Sequence, residues 1–395
     1  MADDRGIGDG AVGAIEGDFH PRALGNHEFK PSEECLEQVS HAERELVRFD
    51  ERMRFHPYRE VVSDHLTRLD ILSSGRLICS DMSLYGLFVD AFAANAGTRG
   101  REVSESLQKI CGNKGAPPSW VRGYGAGLKW LQEHRGMLTV DDMARMYRGF
   151  GETAVRKAGH DAVMQSVEKE SGRLGVLRER TLVEELLRYC GRPHSTPLVQ
   201  TAVAHFRFEA ICPFDEYMDC MGRLLSHSLL MRRSLETQCI VPIGMHAALD
   251  IEQHNRVLAP YRFSAHQTTI GVNDALDTFA RGCAASTLYA VRVGLDIVAH
   301  IQEIAQRWEK ALGGVRSDSA LRASIHVILG APVFDREYLV SSTGRSTTAV
   351  NEAIRQLVRC GIIRQINEGR RNQFFEAPDV TDLFSWIEGR AFGSG

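Results

Sequence analysis

The sequence has no pair of cysteines at the short spacing of a zinc or redox site, although its 395 residues include nine cysteines. Odd in number and scattered, they read as thiols of a reducing compartment and not as a disulfide framework. Arg, Asp, Glu or Gln interrupts each apolar run, and no N-terminal segment runs from basic to apolar. Neither a membrane span nor a signal peptide is expected, so the chain reads as cytoplasmic with no membrane partner. Strong charge of one sign is also missing. A formal net charge of -4 gives no general attraction to nucleic acid, and any DNA contact has to come from a local patch.

What remains is ordinary globular material, with 43% hydrophobic and 25% charged residues. The length allows two or three compact units. Residues 1–40, rich in Gly and acidic groups, offer little apolar surface and are expected to form a mobile arm. From His41 apolar residues recur at helical spacing, as in Leu46, Phe49 and Met53, and residues 41–134 read as an N-terminal helical region. Turn-rich stretches at Gly112 to Pro118 and Gly191 to Pro197 interrupt it and the helical core expected over 135–312. After Pro197, the residues Leu198, Val199, Val203, Phe206, Ala210 and Ile211 share one helical face, and Pro213 stops that helix at Cys212. A loop and a second helix from about Cys220 to Leu235 follow, then a helical stretch Val291 to Leu312.

Residues 316–390 change pattern. Leu321 to Leu329, Asp335 to Leu339 and Ser346 to Arg359 read as three helices. Gly361 closes the third, and Ile362 to Glu376 make a hairpin whose tip, Asn367 to Asn372, is charged. Three helices with a basic hairpin make a winged helix-turn-helix. Arg345, Ser346, Thr347, Thr348, Asn351 and Arg355 lie at the start and on one face of its recognition helix, with Arg370 and Arg371 on the wing. The basic excess of this region is slight, so DNA binding and docking of a protein partner both stay open.

The densest chemistry lies between Cys212 and Arg223. Asp215, Glu216 and Asp219 precede a helix whose N-terminus favours negative charge, and on that ground alone the loop is a capped turn. Cys212 follows the C-terminal end of a helix, where the dipole disfavours a thiolate, so an inert thiol is expected. His205 and Glu209 could interact at i,i+4. A metal set of Cys212, Asp215, Asp219, Cys220 and His227 matches no standard zinc spacing.

The run HFRFEAICPF, from His205 to Phe214, resembles the motif of Fic-domain proteins, whose helix ends in a pattern like FExIHPFxDGNGRxGR. Phe208, Glu209, Ile211, Pro213 and Phe214 match its first half, and Gly222 and Arg223 its closing pair. The resemblance implies a mainly α Fic-type core with a winged-helix tail. It puts Cys212 at the catalytic histidine, Glu216 at the acidic metal ligand, and Phe214, Asp219 and Gly222 in the ligand-binding loop. Tyr217, Met218 and Asp219 stand where the Gly-Asn-Gly turn would cradle phosphate, and Cys220 where the first arginine would be. A trace of the family's inhibitory helix is found at Ser73-Ser74, with Arg76 and Leu77 in the Ile and Glu places.

In the family the histidine deprotonates a target hydroxyl that attacks the α-phosphate of a magnesium-bound nucleotide. Losing the base alone forfeits about 10²–10⁴ in rate. The reading is therefore a catalytically degenerate Fic-domain protein with a regulatory or binding role and a winged helix for DNA. The alternative is a divergent transferase or repurposed enzyme that holds a phosphorylated ligand with Glu216 and Arg223. No cofactor is implied beyond magnesium at Glu216 should a nucleotide bind, and a homo-oligomer is expected.

Overall fold

The computed structural model describes residues 29–78, 82–95, 120–155, 174–211, 213–214, 217–245, 269–314, 316, 319–368 and 372–392. Among them the chain is mainly α-helical, with one small antiparallel sheet. The first helix, α1 (Glu33–Met53), begins eight residues before the position expected from hydrophobic spacing. Ser32 starts it. The Ser32 hydroxyl accepts the Cys35 N–H at 3.1 Å, and Glu33 and Glu34 in the first turn complement the helix dipole. The residues Cys35, Val39, Ala42, Leu46, Phe49 and Met53 form a buried stripe. Each large apolar side chain so buried stabilises the fold by about 1.5–3 kcal/mol. The stripe lies against α9 (Thr269–Ala311), to which Ser32 is also bonded through Asp277.

The body continues with α2 (Arg59–Ile78), α3 (Leu84–Asn95), α4 (Trp120–Glu133), α5 (Val140–Val155), α6 (Leu174–Gly191), α7 (Pro197–Ile211) and α8 (Met218–Arg232). At its centre stands α7, packed on α6, α8, α9 and α1. The expected one-sided apolar face of α7 is too narrow a description, because every residue from Leu198 to Ile211 is buried. Its polar groups are accordingly paired. Glu43 accepts the orphan N–H of Leu198 at 2.7 Å, and Gln200 donates to the carbonyls of Tyr189, Cys190 and Arg192 at the end of α6. In α9, residues 271–311 are long and apolar enough by composition to cross a membrane, which the sequence reading did not anticipate. Half of the apolar window is buried inside the protein, against α1 and α7.

The C-terminal region runs α10 (Ala320–Gly330), β1 (Val333–Asp335), α11 (Arg336–Thr343), α12 (Thr347–Arg359), β2 (Arg364–Gln365), β3 (Phe374–Glu376) and α13 (Pro378–Phe392). The sheet order is β1-β3-β2, with Phe334 opposite Phe375 and Gln365 opposite Phe375 on the other side. Three helices and a hairpin are present where the sequence pattern led to that expectation, with two additions that the pattern hid. The three residues of β1 are all buried, which leaves no alternation to read. Helix α13 follows β3 and packs on α3 and α9. Glu388 of α13 pairs with Arg76 at 2.6 Å and accepts the Leu84 N–H that opens α3, at 3.0 Å.

Where α4 crosses α5, the backbones meet at Gly123. A Cβ there would stand 2.4 Å from the Gly149 carbonyl oxygen, which belongs to the backbone and cannot turn aside. Gly123→Ala is expected to destabilise the protein by about 1–3 kcal/mol. Gly125→Ala, whose Cβ meets only Ile71 at 3.7 Å, should be neutral or stabilising. Chemical denaturation of both variants measures the difference.

Candidate functional site

Between α7 and α8, Cys212, Asp215 and Glu216 lie outside the described residues, so the expected catalytic pair has no described placement. Around them the loop is packed with aromatic rings. Phe214 stacks on Tyr147 with centroids 4.1 Å apart, and Tyr217 sits against Phe150 at 5.5 Å and Trp120 at 6.0 Å. Tyr217 precedes α8 with φ 58° and ψ 27°, the left-handed conformation that glycine adopts without cost. Asp219, in the first turn of α8, places Oδ2 2.7 Å from Arg223 Nε. Gly222 faces the His205 ring on α7.

Among the described residues, Arg223 is enclosed by protein groups. Its side chain is 1% exposed, and its Nη1 donates to the Ser73 hydroxyl of α2 at 2.8 Å. Gly244 closes the remaining side, since a Cβ there would fall 1.2 Å from Nη1. The expected phosphate-holding arginine is thus enclosed by protein groups. Burial alone would lower its pKa, but the carboxylates of Asp219 and Asp70 outweigh burial and raise it.

Arg223 belongs to a buried polar network that the sequence reading missed. His227, one turn further along α8, places Nδ1 2.8 Å from Glu236 and Nε2 3.3 Å from Asp70. Asp70 in turn accepts the Tyr124 hydroxyl at 2.6 Å. Both His227 and Asp70 are fully buried. Burial opposes protonation of His227, but the charges of Glu236 and Asp70 prevail and its pKa is raised to about 10. Burial pushes Glu236 up, while the His227 charge holds Asp70 below the ordinary carboxylate value despite its own burial. One signal in the sequence was available: Asp219, Arg223 and His227 stand four residues apart, a stripe of ionisable groups along one side of α8. Glu236 also lines a cavity of about 380 Å³ with Arg59, Asp64 and Arg135.

The described residues include one group of metal-ligand types in close array, His205, Glu209 and Asp219, whose ligand atoms all lie within 4.8 Å of one another. It differs from the cysteine-containing set weighed on spacing, in which Cys220 is a buried thiol pushed well up by burial and His227 is held by carboxylates.

The residues expected to contact DNA lie at the start and on the outer side of α12. Arg345, Ser346, Thr347 and Thr348 are exposed and Asn351 is half-buried, while Val350, Ala353, Ile354 and Leu357 face inward. Ser346 caps α12 by accepting the Ala349 N–H. Arg355 is exposed and paired with Glu352 at 2.8 Å. Arg370 and Arg371 lie outside the described residues.

No protein-family model matches the sequence, and no curated protein matches it. Among solved structures, the chain is similar to a Fic family protein from Desulfovibrio desulfuricans G20. Identity is 15%, 88% of this chain and 97% of that chain are covered, and the TM-score is 0.44. A likeness of that depth carries no argument about fold or function.

The His227 network sets a pH dependence. Its folded pKa of about 10 lies above the value of about 6.5 for a free histidine. The stability it contributes is therefore fully present below pH ~6.5 and is lost as pH rises through about 10. Thermal denaturation across that range should show a falling midpoint. His227→Gln, which leaves two buried carboxylates without their cation, should cost about 3–5 kcal/mol at neutral pH and flatten the fall.

Proposed function

We propose that this chain is a Fic-type protein that does not transfer AMP, and that it acts in the cytoplasm as a regulatory protein reading duplex DNA through its winged helix. The observation that carries this reading is the division of α12. Val350, Ala353, Ile354 and Leu357 make one side of the helix apolar and buried, while Thr347, Thr348 and Arg355 on the other side are exposed, Asn351 is half-buried beside them, and Arg345 and Ser346 are exposed just before the helix. Residues of these types at the start of such a helix can meet base edges and phosphates in the major groove. Two copies in a homo-oligomer would read two half-sites. The loss of transfer rests on the motif: Cys212 stands at the place of the base, Tyr217 to Asp219 replace the glycine turn, and Arg223 is spent on Asp219 and Ser73. With that arginine enclosed, the transferase reading lacks its phosphate anchor. Magnesium at Glu216 has no role without a nucleotide.

Fluorescence anisotropy with duplexes from the protein's own upstream region and with random DNA, at several salt concentrations, tests the proposal. Binding should weaken as salt rises, and Arg355→Ala should flatten the log–log slope by about 0.9 if it removes one phosphate contact. Arg345→Ala or Asn351→Ala should lose about 1–3 kcal/mol of preference for the specific duplex. Absence of binding to either duplex would make the winged helix a protein-docking module. Labelled ATP with magnesium should leave no covalent label on the protein or a target, nor should Cys212→His restore transfer by itself.

A further inference from the structure

We propose that His205, Glu209 and Asp219 form a binding site for a divalent transition-metal cation of the zinc class, which ties the end of α7 to the first turn of α8. The site is separate from the magnesium position that the motif assigns to Glu216, and it does not depend on the DNA-binding reading.

Three observations converge. His205 and Glu209 stand one turn apart on α7, with Nε2 and Oε1 separated by 3.2 Å. Two ligand atoms each about 2.1 Å from a zinc ion, at a tetrahedral or slightly compressed angle, stand roughly 3.2–3.4 Å apart, so these two already form an edge of a coordination polyhedron. Ser226 fixes the ring. Its hydroxyl has one hydrogen, which is donated to the Gly222 carbonyl at 2.9 Å, so at 3.2 Å from His205 Nδ1 it accepts the ring N–H. The Nε2 lone pair then points at the carboxylates. A ligand imidazole whose other nitrogen donates to a fixed oxygen is the usual supporting arrangement of a metal site. Finally, Asp219 Oδ2 meets Arg223, but Oδ1 is buried and accepts no hydrogen bond. A carboxylate oxygen of Asp219 lies within 4.8 Å of the other ligand atoms, and Oδ1 has no hydrogen-bond partner that a metal would displace. One imidazole and two carboxylates on a small, partly closed site suit Zn²⁺, Co²⁺ or Mn²⁺ better than the larger all-oxygen cage that Ca²⁺ requires. With three protein ligands, a position stays open for water or another ligand.

The test uses the full chain, stripped with a chelator and titrated with Co²⁺ as an optical probe and with Zn²⁺ in competition. One Co²⁺ per chain should give visible bands that Zn²⁺ abolishes, and Zn²⁺ should raise the thermal midpoint, since it binds only the folded form. Asp219→Asn and His205→Gln should each weaken Co²⁺ binding by about tenfold or more, and Ser226→Ala, which removes only the ring's anchor, by about 10–100-fold. Should His205→Gln or Asp219→Asn fail to fold, Ser226→Ala, which leaves every charge of the site in place, decides instead. A wild-type chain that takes up neither metal overturns the proposal. So does uptake that is unchanged in Asp219→Asn, which would place the metal on other histidines or cysteines of the chain.

Discussion

Arg223 is a full positive charge with 1% of its surface exposed, and the architecture around α8 answers to it. A guanidinium taken out of water costs several kcal/mol unless charges and hydrogen-bond acceptors replace the lost solvent. Asp219 supplies the first charge from the same helix, and Ser73 supplies an acceptor from α2. Asp70, also on α2, lies close enough to raise the arginine's pKa and is shared with His227 and Tyr124. One buried cation thereby fixes α2, α4 and α8 relative to one another. Such a network is no great source of net stability, because its gains are mostly offset by desolvation. What it imposes is register: a slip of α8 by one residue would leave at least one buried charge unpaired.

A second local cost lies just before α8. Tyr217 holds a left-handed conformation that costs a non-glycine residue about 1–2 kcal/mol. In the motif that this loop resembles, glycine stands at that position and would take the conformation freely. The cost is offset where the tyrosine ring packs against Phe150 and Trp120. At the start of α8 aromatic packing thus holds the strained residue, while one turn on Arg223 is drawn inward by Asp219.

How far the sequence discloses this depends on the range of each interaction. Helices with one apolar side, such as α12 with Val350, Ala353, Ile354 and Leu357, are legible because the period is local. Helix α7 is legible as a helix, but its burial on every side is not, because Gln200, His205, Arg207 and Glu209 look like exposed positions until their partners are known. The start of α1 was missed although Ser32 followed by two glutamates is a capping signal; the Gly-rich and acidic residues before it drew the boundary too late. The polar network was beyond reach for another reason. Asp70 and His227 are 157 residues apart, and nothing in either neighbourhood names the other. The motif pointed to Arg223, and it was the arginine's environment, not its presence, that the sequence could not supply.

Helix α2 joins this network to the C-terminal region. It carries Asp70 and Ser73 toward α8, places Arg76 against Glu388 of α13, and brings His65 to the Leu329 carbonyl at the end of α10, at 2.7 Å. Contiguity of this kind does not by itself make a switch, which would need an element with two discrete arrangements. It does fix geometry. Because α10 and α13 are both bound to the helical body, the exposed side of α12 has a set orientation relative to α7 and α8 and does not swing on a linker. Under the proposed DNA-reading role, two associated chains would hold their α12 helices at a spacing set by the bodies. A region on a flexible tether would lose that fixed orientation; this attachment keeps it.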